Sequence, residues 1–89
     1  MLYTIEYLSK ARRELRKLPH HIQQQVITAI EALATEPRPL GCTKMVGEQR
    51  TWRIKAGRDY RVVYDIYDDR LVIDVVRVAH RRDVYKDLA

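Results

Sequence analysis

The segment VRVAHRRDVYKDL, residues 76–88, ends a strand-like apolar run in His80-Arg81-Arg82 and places Tyr85 shortly after. Three potential cations and a phenol at a strand end suit the handling of phosphate. A guanidinium presents a planar fork that matches two phosphate oxygens. An imidazole titrates near neutrality, and a phenol stacks on a base or orients a reacting hydroxyl. More basic residues alternate in two earlier segments. In TWRIKA (51–56), Arg53 and Lys55 fall on one side of an extended chain and Trp52, Ile54 and Ala56 on the other, because side chains alternate faces along a strand. In DYRVVYDIY (59–67), Arg61, Val63 and Asp65 oppose Tyr60, Val62, Tyr64 and Ile66. With the apolar sets turned to a core, Arg53, Lys55 and Arg61 converge on an open face, and Arg81 joins them from the end of the last strand. The competing explanation is plain solvation: strand-face cations are usually hydrated, and lysine at a sheet edge deters strand pairing. Several cations held together are costly unless water screens them or an anion arrives, which favours a phosphate ligand.

These side chains need a scaffold, and the periodicity supplies one. LYTIEY (2–7) alternates and predicts a strand. Ser9 is placed to cap the helix that follows. Leu8, Ala11, Leu15 and Leu18 form its apolar stripe, with Lys10, Arg12, Arg13, Arg16 and Lys17 facing water. Pro19 breaks this helix and suits the first turn of the next, whose stripe is Ile22, Val26, Ile30 and Leu33. TEPRPLG stops the second helix. Residues 35–50 read as a loop in which Leu40, Met45 and Val46 plug the space beneath. Three strands follow, over 51–56, 59–67 and 71–79, with DDR (68–70) as a hairpin turn and an antiparallel meander as the expected pairing. The predicted fold is α+β in the order β-α-α-β-β-β, a helical hairpin covering one face of an antiparallel sheet, with a short C-terminal segment.

Eighty-nine residues make one domain, 1–89. No apolar run predicts a membrane span, and the N-terminus carries no secretory pattern, so the cytoplasm is expected. The net charge of +5 favours polyanionic partners. It is spread along the chain, seven Lys/Arg against five Asp/Glu over 1–49 and ten against seven over 50–89, so only folding gathers it. Cys42 is the single cysteine, and with His20, His21 and His80 it forms no ligand spacing, so no metal site is expected. Phosphate-binding glycine loops and a G-x-S-x-G nucleophile are absent, and Ser9 is the only serine. Asp68 and Asp69 are adjacent in a turn and project apart, so a carboxylate-based hydrolase is not expected.

The element order, the segment WRIKAGRDYRVVYDI and the terminal VAHRRDVY together resemble the RelE/ParE superfamily of toxins from type II toxin–antitoxin pairs, over nearly the whole chain. The likeness is greater to the RelE branch, whose members cleave mRNA in the ribosomal A site, than to the ParE branch, which inhibits DNA gyrase. The resemblance implies a catalytic set of Arg53, Lys55, Arg61, Arg81 and Tyr85, with His80 as a candidate acid, and RNA-binding roles for Arg53, Arg58, Arg82 and Lys86. Arg53 stands where some members carry lysine, and arginine stays protonated, so Lys55 is the expected base. Cleavage through the substrate's own 2′-OH needs no cofactor and no metal. The implied partners are an acidic, partly disordered RelB-like antitoxin, the ribosome and its mRNA, and operator DNA only through the antitoxin complex, with no membrane. Two rival readings are a gyrase inhibitor acting by protein–protein binding and a non-enzymatic RNA-binding module.

Overall fold

The computed structural model describes residues 2–84. The elements run β1 (Thr4–Tyr7), α1 (Ser9–Arg16), α2 (His20–Ala32), β2 (Thr43–Lys44), β3 (Thr51–Ala56), β4 (Tyr60–Tyr67) and β5 (Val72–His80). They form one five-stranded sheet in the order β1-β5-β4-β3-β2. The α+β class and the two-helix layer expected from the periodicity are present. Two features differ from the expected meander. β1 returns beside β5 and pairs with it in parallel, Thr4 opposite Val72 and Tyr7 opposite Val75. The 35–50 loop also contributes a two-residue strand, β2, antiparallel to β3, too short for any periodicity to reveal.

Helix α1 has eight residues, too few to persist alone, so tertiary packing must hold it. Ala11, Val26, Ile30 and Leu33 are fully buried against Ile54, Val62, Tyr64, Ile66, Ile73, Val75 and Val78 of the sheet. Each buried Val, Leu or Ile contributes about 1.5–3 kcal/mol. Leu8 departs from the expected stripe and is exposed, because it is the N-cap rather than a helical residue. The expected Ser9 cap is also absent: Ser9 is the first helical residue, and no side chain caps the helix. The two helices are joined by a side-chain bond, Gln23 Nε2 donating at 3.0 Å to the carbonyl of Leu15, which also accepts the Leu18 N–H at the end of α1.

Beyond Val75 the edge of β5 has no strand beside it, and α1 takes that place. The Glu14 carboxylate accepts from the Val78 N–H at 3.0 Å and from Arg77 Nε at 3.0 Å, and Arg77 Nη2 lies 2.8 Å from it. Arg77 also donates to the Val84 carbonyl at 3.4 Å. This ion pair fixes α1, β5 and the turn after β5 to one another.

Leu40 and Val46 do not plug the loop. Both side chains are fully exposed, while the partly buried Cys42 packs on the core instead. The loop is secured by polar bonds. The buried Tyr64 hydroxyl donates to the Pro37 carbonyl at 2.7 Å. Arg38 makes a two-pronged bond to Asp68, 2.8 and 3.3 Å, with its guanidinium 5.4 Å from the Trp52 ring centre. The Tyr3 hydroxyl donates to the same carboxylate at 2.6 Å, and these two donors hold the Asp68 pKa below its ordinary value.

Burial drives the Tyr64 pKa upward. A phenol whose folded-state pKa is raised contributes its full stability below its unfolded value of about 10 and loses it as pH rises further. The melting temperature is therefore expected to fall between about pH 9 and pH 11 more steeply in the native chain than in Tyr64→Phe. Thermal scans across that range check it; equal slopes would remove Tyr64 from the account. No helix among the described residues is long and apolar enough to cross a membrane.

Candidate active site

The cations converge because of strand register. Lys55 pairs with Arg61 across β3 and β4, Arg61 with Ala79 across β4 and β5, and Arg53 lies between Thr43 and Val63. Ile54 and Ala56, the intervening residues, are buried in the core, which turns Arg53, Lys55 and Arg61 to the face away from the helices. Together with Gly41, Thr43 and Ile54 they line a small recess of about 20 Å³. Like charges directly opposite on neighbouring strands destabilise a sheet, so the Lys55–Arg61 pair is a feature that folding alone does not favour. Lys55 is exposed and has no hydrogen-bond acceptor or ion-pair partner among the described residues.

The turn between β3 and β4 anchors two arginines. Gly57 and Arg58 both adopt left-handed conformations, φ 55° and 69°. At Gly57 a side chain would also press on α2, since an added Cβ falls 3.3 Å from Ile22 Cγ2. Arg61 Nη1 donates to the carbonyls of Tyr60 and Arg58 at 3.0 and 3.4 Å, leaving its other guanidinium nitrogens without protein acceptors among the described residues. Arg81 is tied to the same turn, its N–H donating to the Asp59 carbonyl at 2.7 Å and its Nε 3.8 Å from the Asp59 carboxylate. The Arg81 side chain is 57% exposed, so this weak ion pair leaves it accessible to an anion. Asp59 was not foreseen as a site residue. Its signal was the G-R-D turn itself, whose last member meets the residue following β5.

Arg58 carries a left-handed backbone that costs a non-glycine residue about 1–2 kcal/mol. Strain of this kind gathers at functional sites. Arg58→Gly is expected to raise stability by about 0.5 kcal/mol after the entropic cost of glycine is subtracted. Denaturant midpoints check it.

The remaining expected residues are placed differently. His80 pairs with Tyr60 and meets that ring edge-on, centroids 5.5 Å apart at 78°. Tyr60 packs on the core, so His80 lies across the sheet from Lys55 and Arg61. Its Nδ1 accepts the Arg82 N–H at 3.2 Å, which puts the proton of the neutral imidazole on Nε2. The Arg82 side chain is exposed. Tyr85 and Lys86 lie outside the described residues. The cationic face is also not bare: Val63, Ala79 and Val84 are buried there with Val76 packed on them. Val76 is the extra residue of a bulge in β5, where Val63 pairs with Arg77 and Tyr64 with Val75.

The family described as ParE toxin of type II toxin–antitoxin systems matches residues 5–85. The chain is 34% identical over 87 residues to Toxin RelG of Mycobacterium tuberculosis, covering 97% of this chain and 99% of that one. It is 32% identical over 88 residues to a putative RelE-like toxin protein of Escherichia coli, covering 96% and 92%. Its fold is similar to the RelBE2 toxin–antitoxin complex of M. tuberculosis, TM-score 0.78 at 31% identity over 91% of this chain and all of that one. It is also similar to the intact E. coli RelBE complex, TM-score 0.78 at 26% identity over 88% and 95%. The chain thus belongs to the ParE toxin family of type II toxin–antitoxin systems, within the RelE/ParE superfamily, and is a toxin of RelE type.

Proposed function

We propose that this toxin is a ribosome-dependent endoribonuclease that cuts translated mRNA through the substrate's own 2′-OH and thereby stops translation. The observation that carries this reading is the recess that unites Arg53, Lys55 and Arg61, with Arg81 fastened to the same turn as Arg61. In-line attack by a 2′-OH needs the proton removed, the phosphate aligned and its growing charge neutralised. Lys55 is the base. Arg61 and Arg81 clamp the phosphate oxygens through their open nitrogens. Arg53 adds positive potential, with Arg58, Arg82 and Lys86 extending it to the flanking RNA, and Tyr85 stacks on a base or orients the nucleophile. The O2′–P bond forms as the P–O5′ bond breaks, giving a 2′,3′-cyclic phosphate and a 5′-hydroxyl end.

His80, the expected acid, stands on the opposite side of the sheet. No other described side chain on the cationic face is free to act as the acid, since arginine stays protonated and Lys55 is the base. Protonation of the leaving oxygen then falls to solvent or to a group the ribosome presents, so action on free RNA is expected to be weak. The partner in the resting state is an acidic RelB-like antitoxin, as in the RelB–RelE complexes of relatives. Operator DNA is bound through that complex. The protein acts in the cytoplasm, where translation occurs.

Mapping mRNA 5′ ends after induction tests the reading. New ends within codons of translated messages support it. Arrested translation with no new ends would reject it, and loss of supercoiling activity in a gyrase assay would replace it with the ParE-type reading.

A further inference from the structure

A second group of planar cations lies at the far end of the same face. Tyr67, the last residue of β4, follows Arg61, Val63 and Asp65 in the alternation and so points to the cationic side. Two guanidiniums lie against its ring, Arg50 at 4.7 Å and Arg70 at 4.2 Å from the centroid. Arg50 precedes β3 and is held there by its carbonyl, which accepts the Ile66 N–H at 2.9 Å. Arg70 sits in the β4–β5 turn with its N–H on the Tyr67 carbonyl at 3.2 Å. Neither arginine has a carboxylate partner among the described residues. Of the nearby acids, Asp68 binds Arg38 and Tyr3 and Asp65 accepts the Thr51 hydroxyl at 2.6 Å, while Glu48, Asp69 and Asp74 pair with neither arginine.

The ground between the two cationic groups is grooved. A depression lined by Met45 and Val46 shares Arg53 with the recess at Lys55 and Arg61. A further one shares Met45 and Val46 with it and is lined by Glu48, Thr51, Val63 and Asp65. Tyr67 lies six positions along β4 from Arg61, which corresponds to about 20 Å of extended strand.

We propose that Arg50, Tyr67 and Arg70 form a second RNA-binding site, which grips the single strand flanking the scissile phosphate after it has run along the β3–β4 groove. The ring holds two guanidinium planes in place, so they lose little freedom on binding. Each offers a fork to a phosphate and a flat face to a base. This combination fits single-stranded RNA better than an acidic peptide, which has charge but no bases to stack. The inference rests on the cationic recess as the place where RNA is cut.

The test is fluorescence anisotropy with non-cleavable 2′-O-methyl oligonucleotides, a dinucleotide and a dodecanucleotide, over a salt series. Three full-length proteins are compared: the native chain, Arg50→Ala/Arg70→Ala and Arg61→Ala. The double variant is expected to lose about tenfold in dodecanucleotide affinity. Its salt slope should flatten by roughly 0.7 for each phosphate contact removed, and its dinucleotide affinity should stay native. Arg61→Ala should weaken both probes. If Arg61→Ala weakens both while the double variant binds the dodecanucleotide normally, the second site is overturned and the recess stands. If neither variant differs from the native chain, the recess reading fails as well. Loss of binding to a polyglutamate peptide with RNA binding intact would overturn the site in favour of a protein partner.

Discussion

Lys55→Ala is expected to slow single-turnover cleavage of ribosome-bound message by about 10²–10⁴-fold, the usual contribution of a positioned general base. Stability should hardly change. The side chain is exposed, and substitutions at such positions ordinarily stay within about 0.5 kcal/mol. Removing one member of the Lys55–Arg61 pair also relieves a cross-strand repulsion, so the unfolding midpoint is expected to hold or rise slightly. Lys55→Arg separates proton transfer from charge. Arginine keeps the positive potential but holds its proton, so a base at this position predicts that Lys55→Arg is nearly as slow as the alanine variant. Recovery of most of the native rate by Lys55→Arg would show that position 55 acts through charge alone.

The largest expected stability effect lies at the edge of β5, where α1 packs. Arg77 is 6% exposed, and its guanidinium lies 2.8 Å from the Glu14 carboxylate. Glu14→Ala removes the carboxylate from a buried guanidinium and opens the Val78 N–H. Breaking a buried pair from one side costs about 3–5 kcal/mol, a large share of the roughly 5–15 kcal/mol that holds a small domain together. Glu14→Gln keeps an acceptor for Val78 but removes the charge, and is expected to fall between the two. Urea unfolding of all three proteins checks the order. Because the same pair fastens the turn that begins at Arg81, Glu14→Ala should also lower cleavage beyond its effect on the folded fraction.

Much of the cationic face was legible because period-two alternation fixes sidedness wherever one face is apolar. Trp52, Ile54 and Ala56 turned inward, so Arg53 and Lys55 turned outward, and the Tyr60–Ile66 set did the same for Arg61. Alternation also bears on His80, two residues beyond the core residue Val78 and therefore on the covered side. That inference needed the register of β5, which the bulge at Val76 shifts by one and which no local pattern revealed. The loop defeated the reading for a different reason. Leu40 and Val46 were expected inside on hydrophobicity alone, yet Tyr64, Arg38 and Asp68 close the same loop through hydrogen bonds between residues far apart in sequence. The parallel return of β1 to β5 was likewise invisible, since a four-residue strand carries no information about its neighbour.

The central claim is that arginines and a lysine on one sheet face promote attack by the substrate's own 2′-hydroxyl. A message carrying a single 2′-deoxy nucleotide at the mapped cleavage position, placed in a programmed ribosome, tests it most directly. The account predicts no cleavage at that phosphate, with toxin binding unchanged, and a 2′,3′-cyclic phosphate on the fully ribose control. Cleavage of the deoxy message at a comparable rate would contradict it.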